Sequence, residues 1–334
     1  MEYVHEERLD RLRGMLVGLS VGDAMGAPVE FLSPAMFEPV HGFREGGPHY
    51  LPAGYWTDDT SLALCTAVSL IQKNGHDSLD QMIRYSRWYR EGFASSTGMA
   101  FGIGEQTRRA IELFEDHGLI YGELWQTMLQ NPYGAGNGAI MRLAPVLIHY
   151  HHDNELAVRY ASDNAFLTHP DSRCVETNQV FAQLILNVLN SPPGFDKSSL
   201  LSFDALITLS IELGDELMAV LNGSFRYKNA EQLNTGGQVV NTLEAVLWAF
   251  YHASSFEEGL LALVNLGGDS DTLGAVYGQL AGAYWGYNAI PYEWRAGLFA
   301  EPVIRHLADC LCGYSSPQNV QLPDWLVYFH VLIS

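Results

Sequence analysis

Two short stretches, far apart in a chain of 334 residues, carry the same kind of chemistry. The first, GYWTDDTSLAL, sets Thr57, Asp58 and Asp59 directly before an apolar run. The second, LGGDSDTLGAV, sets Asp269, Asp271 and Thr272 before another. Asp, Ser or Thr at a helix start accepts hydrogen bonds from free N–H groups and complements the helix dipole. One cap accounts for one residue per stretch, and each stretch has two aspartates. Four carboxylates brought together repel and raise one another's pKa unless cations neutralise them. Hard cations such as Mg²⁺ or Mn²⁺ take oxygen ligands from Asp, Thr and water. A pair of such clusters can make a two-metal site, with ions about 3.5 to 4 Å apart. Zinc fits less well, because no histidine–cysteine set accompanies them.

A third stretch, GAGNGAIMR at 134–142, places glycines and Asn137 before an apolar run. Backbone N–H groups in such a loop can hold a pyrophosphate, as helix N-termini do. Turns also use Gly and Asn, so the loop alone identifies no ligand. Gly267 and Gly268, ahead of Asp269, let the backbone approach a ligand or a metal closely.

The elements that must position these residues read as helices. Gly14, Gly18 and Gly22 recur every fourth residue, a smooth stripe that another helix can approach closely. Gly274, Gly278 and Gly282 repeat the spacing after Thr272. Apolar periodicity predicts helices over Arg8–Asp23, Thr60–Lys73, Leu79–Glu91, Gly104–Phe114, Asn137–Tyr150 and Glu155–Phe166. It predicts more over Ser172–Leu189, Leu200–Leu213, Thr242–His252, Phe256–Val264 and Asp271–Tyr287. Breaks such as LSPAMFEP, NPYGAGNG and SPPGFDKS carry turn chemistry, and none is long enough for an interdomain linker. A single all-helical domain over residues 1–334 is the expectation.

Composition narrows the function. With 18 basic and 38 acidic residues the formal net charge is −20, which repels nucleic-acid phosphates. Neither a nucleic acid nor a membrane is expected as partner. The run after Leu273 reads as a core helix rather than a membrane span, because Gln279 and two tyrosines interrupt it. Cys65, Cys174, Cys310 and Cys312 read as reduced thiols. The charged N-terminus lacks a signal-peptide core, and a cytoplasmic location is expected.

Taken together, RLRGMLVGLSVGDAMGAPVEF, GYWTDDTSLAL, GNGAIMRLAPV, FLTHPDSR and NTLEAVLWAFYHASSFEEGLLALVNLGGDSDTLGAVYGQLAGAYWGYNAIP resemble the ADP-ribosylglycohydrolase family, in family order from residue 8 to about 291. The resemblance implies an all-α fold, a compact orthogonal helical bundle, with two Mg²⁺ or Mn²⁺ ions at the bottom of a cleft. It implies Thr57, Asp58 and Asp59 as one ligand set and Asp269, Asp271 and Thr272 as the other. Glu30 matches an acid beside the metals, and with Asp58 and Asp269 it forms the expected catalytic set. Gly136, Asn137, Gly138, Ala139 and Met141 match the segment that cradles the ADP-ribose phosphates. His169, Gly268 and Ser270 complete the expected substrate contacts. Two positions depart from the pattern. Gly102 stands where arginine-directed members carry an aspartate, and Gln238 stands where an aromatic is common.

The implied reaction is metal-dependent hydrolysis at C1″, which removes ADP-ribose from a modified acceptor. The first expectation is ADP-ribosyl-arginine on protein. Other branches act on ADP-ribosyl-serine, O-acetyl-ADP-ribose or modified nucleic acid. An alternative role is immunity to an ADP-ribosylating toxin, by binding the toxin as well as reversing its modification. MEYVHEE at the N-terminus and the 191–199 loop are the candidate contact surfaces for such a partner.

Overall fold

Glycines decide the central packing. α1 (Glu2–Gly26) and α14 (Ser270–Trp285) lie against each other along their glycine stripes. Gly14 faces Gly282, Gly18 faces Gly278, Gly22 faces Gly274 and Gly26 faces Ser270, so the helices run antiparallel. The backbones touch. A Cβ built on Gly14 would stand 2.5 Å from the Gly282 carbonyl oxygen and 2.8 Å from Tyr287 N. Pairing in this sense brings the last turn of α1 beside the first turn of α14.

This arrangement comes from a computed structural model that describes residues 2–120, 122–130, 135–206 and 213–316. Among them are sixteen α-helices and no strand. Between the central pair in sequence lie α2 (Asp58–Lys73), α3 (Ser78–Glu91), α4 (Glu105–His117), α5 (Glu123–Leu129), α6 (Ala144–His149) and α7 (Asn154–Phe166). They are followed by α8 (Ser172–Asn190), α9 (Lys197–Leu200), α10 (Phe203–Leu206), α11 (Asp215–Leu221), α12 (Val239–His252) and α13 (Phe256–Val264). The last helices among the described residues are α15 (Tyr292–Gly297) and α16 (Glu301–Leu311). Buried apolar side chains form one contiguous core from Leu12 to Leu311, with Trp56, Trp88, Trp125 and Phe181 fully enclosed. No helix among the described residues is long and apolar enough to cross a membrane.

Most predicted helices appear within a few residues of their expected ends, and α1 starts at Glu2 rather than at Arg8. Two are not single helices as expected. The helix expected over Asn137–Tyr150 is a loop, a 3₁₀ turn over Ile140–Arg142 and then α6. Pro145 sits in the first turn of α6, where its missing N–H costs nothing. The helix expected over Leu200–Leu213 is replaced by the four-residue α9 and α10, and 207–212 lie outside the described residues.

Candidate active site

The acid clusters meet because a third acid holds them. Asp23, in the last turns of α1, accepts from Thr57 N at 2.9 Å and from Thr60 N at 2.9 Å. It also accepts from both threonine hydroxyls, at 2.9 and 2.6 Å. The Thr57 side chain makes no cap bond of its own to α2, so the helix is capped from another element. This fixes the N-terminus of α2 to α1, and the glycine seam fixes α14 to the same place. Thr57 Oγ1 then lies 3.2 Å from Asp59 Oδ2 and 3.2 Å from Asp271 Oδ2, across 214 residues of chain.

Glu30 joins the group from the turn after α1. Glu30, Asp269 and Asp271 each offer an oxygen within 4.8 Å of the others. Gly268 holds this turn in place: its N–H donates to Leu32 O and its carbonyl accepts from Phe31 N. His49 Nε2 lies 3.1 Å from Glu30 Oε2. It is carried by a tight turn closed by hydrogen bonds between Gly46 and Leu51.

The electrostatics of the group are lopsided. Burial first, and neighbouring carboxylates second, push Asp58, Asp59 and Asp271 well above the usual carboxylate range. Burial raises Asp269 against a hydrogen bond from Asn137, and raises Asp23 to about 6 against its threonine donors. Asp59 Oδ1 is buried without a hydrogen-bond partner. An all-oxygen donor set with an orphaned carboxylate oxygen fits a hard cation.

A cavity of about 350 Å³ opens onto Glu30, Asp58, Asp269, Asp271 and Thr272, and no lysine or arginine is among its lining residues. Thr57 and Asp59 lie beneath its surface, fully or almost fully buried. Gly136, Asn137, Gly138, Met141 and His169 line the same cavity. Asn137 ties the glycine loop to the acids, donating to Asp269 Oδ2 at 2.7 Å and to Thr242 Oγ1 at 3.0 Å. A more open cavity of about 610 Å³ shares Gln106 with it but collects no such carboxylate group.

His169 is set by a relay. The buried Arg142 donates to Gly138 O at 2.6 Å and to Thr168 Oγ1 at 2.7 Å. Thr168 Oγ1 lies 2.8 Å from His169 Nδ1. An arginine only donates, so the hydroxyl proton is free to go to Nδ1, which leaves the proton of the neutral ring on Nε2. Burial, helped by Arg142, lowers the His169 pKa to about 3, so the ring is neutral. Nε2 is the nitrogen facing Gly136 and Gly138.

Three expected substrate contacts lie off the cavity. Ser270 turns to α1, where its hydroxyl donates to Gly26 O at 2.9 Å. Ala139 is fully buried, and Gly268 is engaged by the Glu30 turn. The departures also acquire reasons. Gly102 has φ of +79°, and a Cβ there would stand 2.5 Å from Asp58 Oδ1. Gln238 caps α12, accepting from Asn241 N at 2.8 Å. Sequence reasoning missed Asp23, His49, Arg142 and Thr168. Asp23 sits inside VGDAMGAPVEF and reads there as a helix residue. The 191–199 loop adjoins the other end of α1, where Arg8 meets Leu189 O, roughly 22 Å of helix from Asp23.

This helical fold and acid-floored cleft belong to a known class. A family model described as ADP-ribosylglycohydrolase matches residues 4–320, so the chain belongs to the ADP-ribosylglycohydrolase family and is an ADP-ribosylglycohydrolase. It is 37% identical over 323 residues to the ADP-ribosylarginine hydrolase Tri1 of Pseudomonas putida (strain GB-1), covering 97% of this chain and 83% of that one. It is 28% identical over 313 residues to the ADP-ribosyl-[dinitrogen reductase] glycohydrolase of Rhodospirillum rubrum, covering 90% and 95%. A solved structure titled ADP-ribosylglycohydrolase-related protein complex superposes with a TM-score of 0.78 at 41% identity, covering 93% of this chain and 99% of that one.

Proposed function

We propose that the chain, acting as one catalytic unit over residues 1–334, removes ADP-ribose from arginine side chains of modified proteins. The observation that carries the reading is the approach of Thr57 Oγ1 to Asp59 and Asp271, both at 3.2 Å, beneath a cavity also lined by the glycine loop. The names of the relatives in Pseudomonas and Serratia support arginine as acceptor.

Glu30 acts as the base. It takes a proton from water as the water oxygen bonds to C1″ and the C1″–N bond breaks with its electron pair going to nitrogen; the proton is then passed to that nitrogen, and the acceptor leaves as arginine. His49, 3.1 Å from Glu30 Oε2, orients the carboxylate. Backbone N–H groups of Gly136 and Gly138 and the Nε2–H of His169 hold the diphosphate, which fixes C1″ near Glu30. Thr57, Asp58 and Asp59 would hold one divalent cation, Mg²⁺ or Mn²⁺, and Asp269, Asp271 and Thr272 the other, supplying charge neutralisation and Lewis-acid polarisation.

Gly102 favours a second reading. With no carboxylate at that position, a guanidinium finds no acid there, which suits an uncharged linkage such as ADP-ribosyl-serine. One experiment separates the readings. Arginine-, serine- and acetyl-linked ADP-ribose are incubated with the protein in Mg²⁺ and in EDTA, and free ADP-ribose is measured. Release from the arginine conjugate, lost in EDTA, supports the proposal. Release from the serine conjugate alone, or equal release in EDTA, rejects it.

A further inference from the structure

Bulky residues rarely adopt left-handed backbone, because Cβ crowds the following carbonyl. Phe31 (φ +61°) and Tyr50 (φ +54°) both do. Both are also exposed, at 70% and 89%, so neither side chain is held in this conformation by burial. Their placement is what they share. Phe31 directly follows Glu30 and Tyr50 directly follows His49, and those two side chains are 3.1 Å apart. Each strained aromatic therefore flanks one member of the acid–histidine pair.

The backbone around them is pinned. Phe31 N donates to Gly268 O at 2.6 Å. The turn carrying Tyr50 is closed from Gly46 to Leu51 and packs on the end of α1, where a Cβ on Gly47 would lie 2.7 Å from Pro28 Cα. The Phe101 ring packs against His49 with centroids 5.1 Å apart and planes tilted by 51°. Strain held this firmly, presenting apolar rings to water, marks a surface built for contact.

We infer that Phe31 and Tyr50 form a docking rim for the polypeptide segment that bears the modified arginine, an inference that rests on the proposed function. The cavity of about 350 Å³ is of a size for one small molecule, so the polypeptide stays outside it. With C1″ at Glu30, the acceptor leaves past the residues beside Glu30 and His49. Glu105, exposed at the same mouth and paired there with Arg108, and the net charge of −20 complement a basic segment. Exposed tyrosine and phenylalanine supply rigid contact area at small entropic cost.

Asn tolerates left-handed backbone, so Tyr50→Asn relieves strain and keeps the turn. The test compares kcat/KM of wild type and Y50N on an ADP-ribosylated arginine protein and on free ADP-ribosyl-arginine. Y50N is expected to lose about tenfold on the protein and nothing on the free conjugate. Phe31→Asn is expected to lose more on the protein than on the free conjugate. Equal losses on both substrates, or no loss on the protein, overturn the inference. Should wild type cleave neither, the arginine reading fails on its own. The rim is then read by equilibrium binding of the modified protein against free ADP-ribose, and equal affinities of wild type and Y50N overturn it.

Discussion

Gly14→Ala is a sharp test of the seam, because two physical effects point in opposite directions. Alanine is the better helix former, by about 1 kcal/mol. Propensity alone therefore makes the variant more stable. Packing says otherwise. The new Cβ would lie 2.5 Å from Gly282 O, about 0.9 Å short of the 3.4 Å at which ordinary contact begins. Gly286 C and Tyr287 N, both at 2.8 Å, close the remaining directions. All of these are backbone atoms, so no rotamer change makes room. Overpacking of this kind costs about 1–3 kcal/mol, and the rigid surroundings place it at the upper end. Subtracting the propensity gain leaves a net loss of about 2 kcal/mol, or about 3 °C in Tm for a chain of this length. Urea unfolding and a fixed-rate thermal scan measure it. Gly42→Ala is the control, since a Cβ there meets nothing nearer than Trp294 Nε1 at 3.8 Å. A Gly14→Ala protein as stable as wild type, or more so, refutes the close-packed seam.

The carboxylate group and the buried histidines give further tests. Asp58→Asn is expected to abolish hydrolysis and to raise the Tm of the metal-free protein, because it removes one charge from a repelling buried group. Mg²⁺ at a hundred times its Kd is expected to stabilise wild type by about 2.7 kcal/mol and D58N by less; equal Mg²⁺ increments would count against a ligand role. Burial lowers the His76 pKa to about 4, so the unfolded chain takes up this proton near pH 6.5 and the folded protein does not. Its contribution is complete above that range and is lost on acidification, by about 2 kcal/mol at pH 5. The site's raised carboxylates act in the opposite sense when metal-free. The readout is therefore the difference in urea midpoint between wild type and His76→Gln at pH 7.5 and pH 5, and parallel pH slopes would sink it.

Local chemistry was legible in the sequence and long-range hydrogen bonding was not. Helix type followed from apolar spacing, and the two acid turns announced themselves by carrying more aspartates than a cap can use. Gly14 to Gly22 and Gly274 to Gly282 showed two smooth stripes, but spacing does not say that one stripe receives the other. Asp23 was invisible for a related reason. Its partners, Thr57 and Thr60, are more than thirty residues away, and a lone aspartate at a helix end reads as solvated. His49 sits in a turn whose position depends on Gly47 packing against the end of α1. Ser270 shows the converse. It stands between two site aspartates, yet helix geometry points it to Gly26 rather than to the cavity. Nearness in sequence is no guide to direction once a helix has begun.

Charge counting then decides what the cluster needs. Asp23, Asp58, Asp59, Asp269, Asp271 and Glu30 are six carboxylates, five of them buried and Asp269 partly so, and no lysine or arginine lines their cavity. The N-termini of α2 and α14 converge on them, and each supplies roughly half a positive charge. That leaves a deficit of about five charges when all are ionised. Protons can close the gap, and the raised pKa of Asp58, Asp59 and Asp271 shows the group tending that way in the absence of other cations. Protonation would leave Asp59 Oδ1 without a partner, although Thr57 Oγ1, which donates to Asp23, could then accept from Asp59 and Asp271. Two divalent cations would bring the sum close to neutral and use those same oxygens as ligands. The glycine seam is the complementary half of the arrangement: a backbone packed this tightly holds the first turn of α14, with Asp271, beside the last turns of α1, with Asp23.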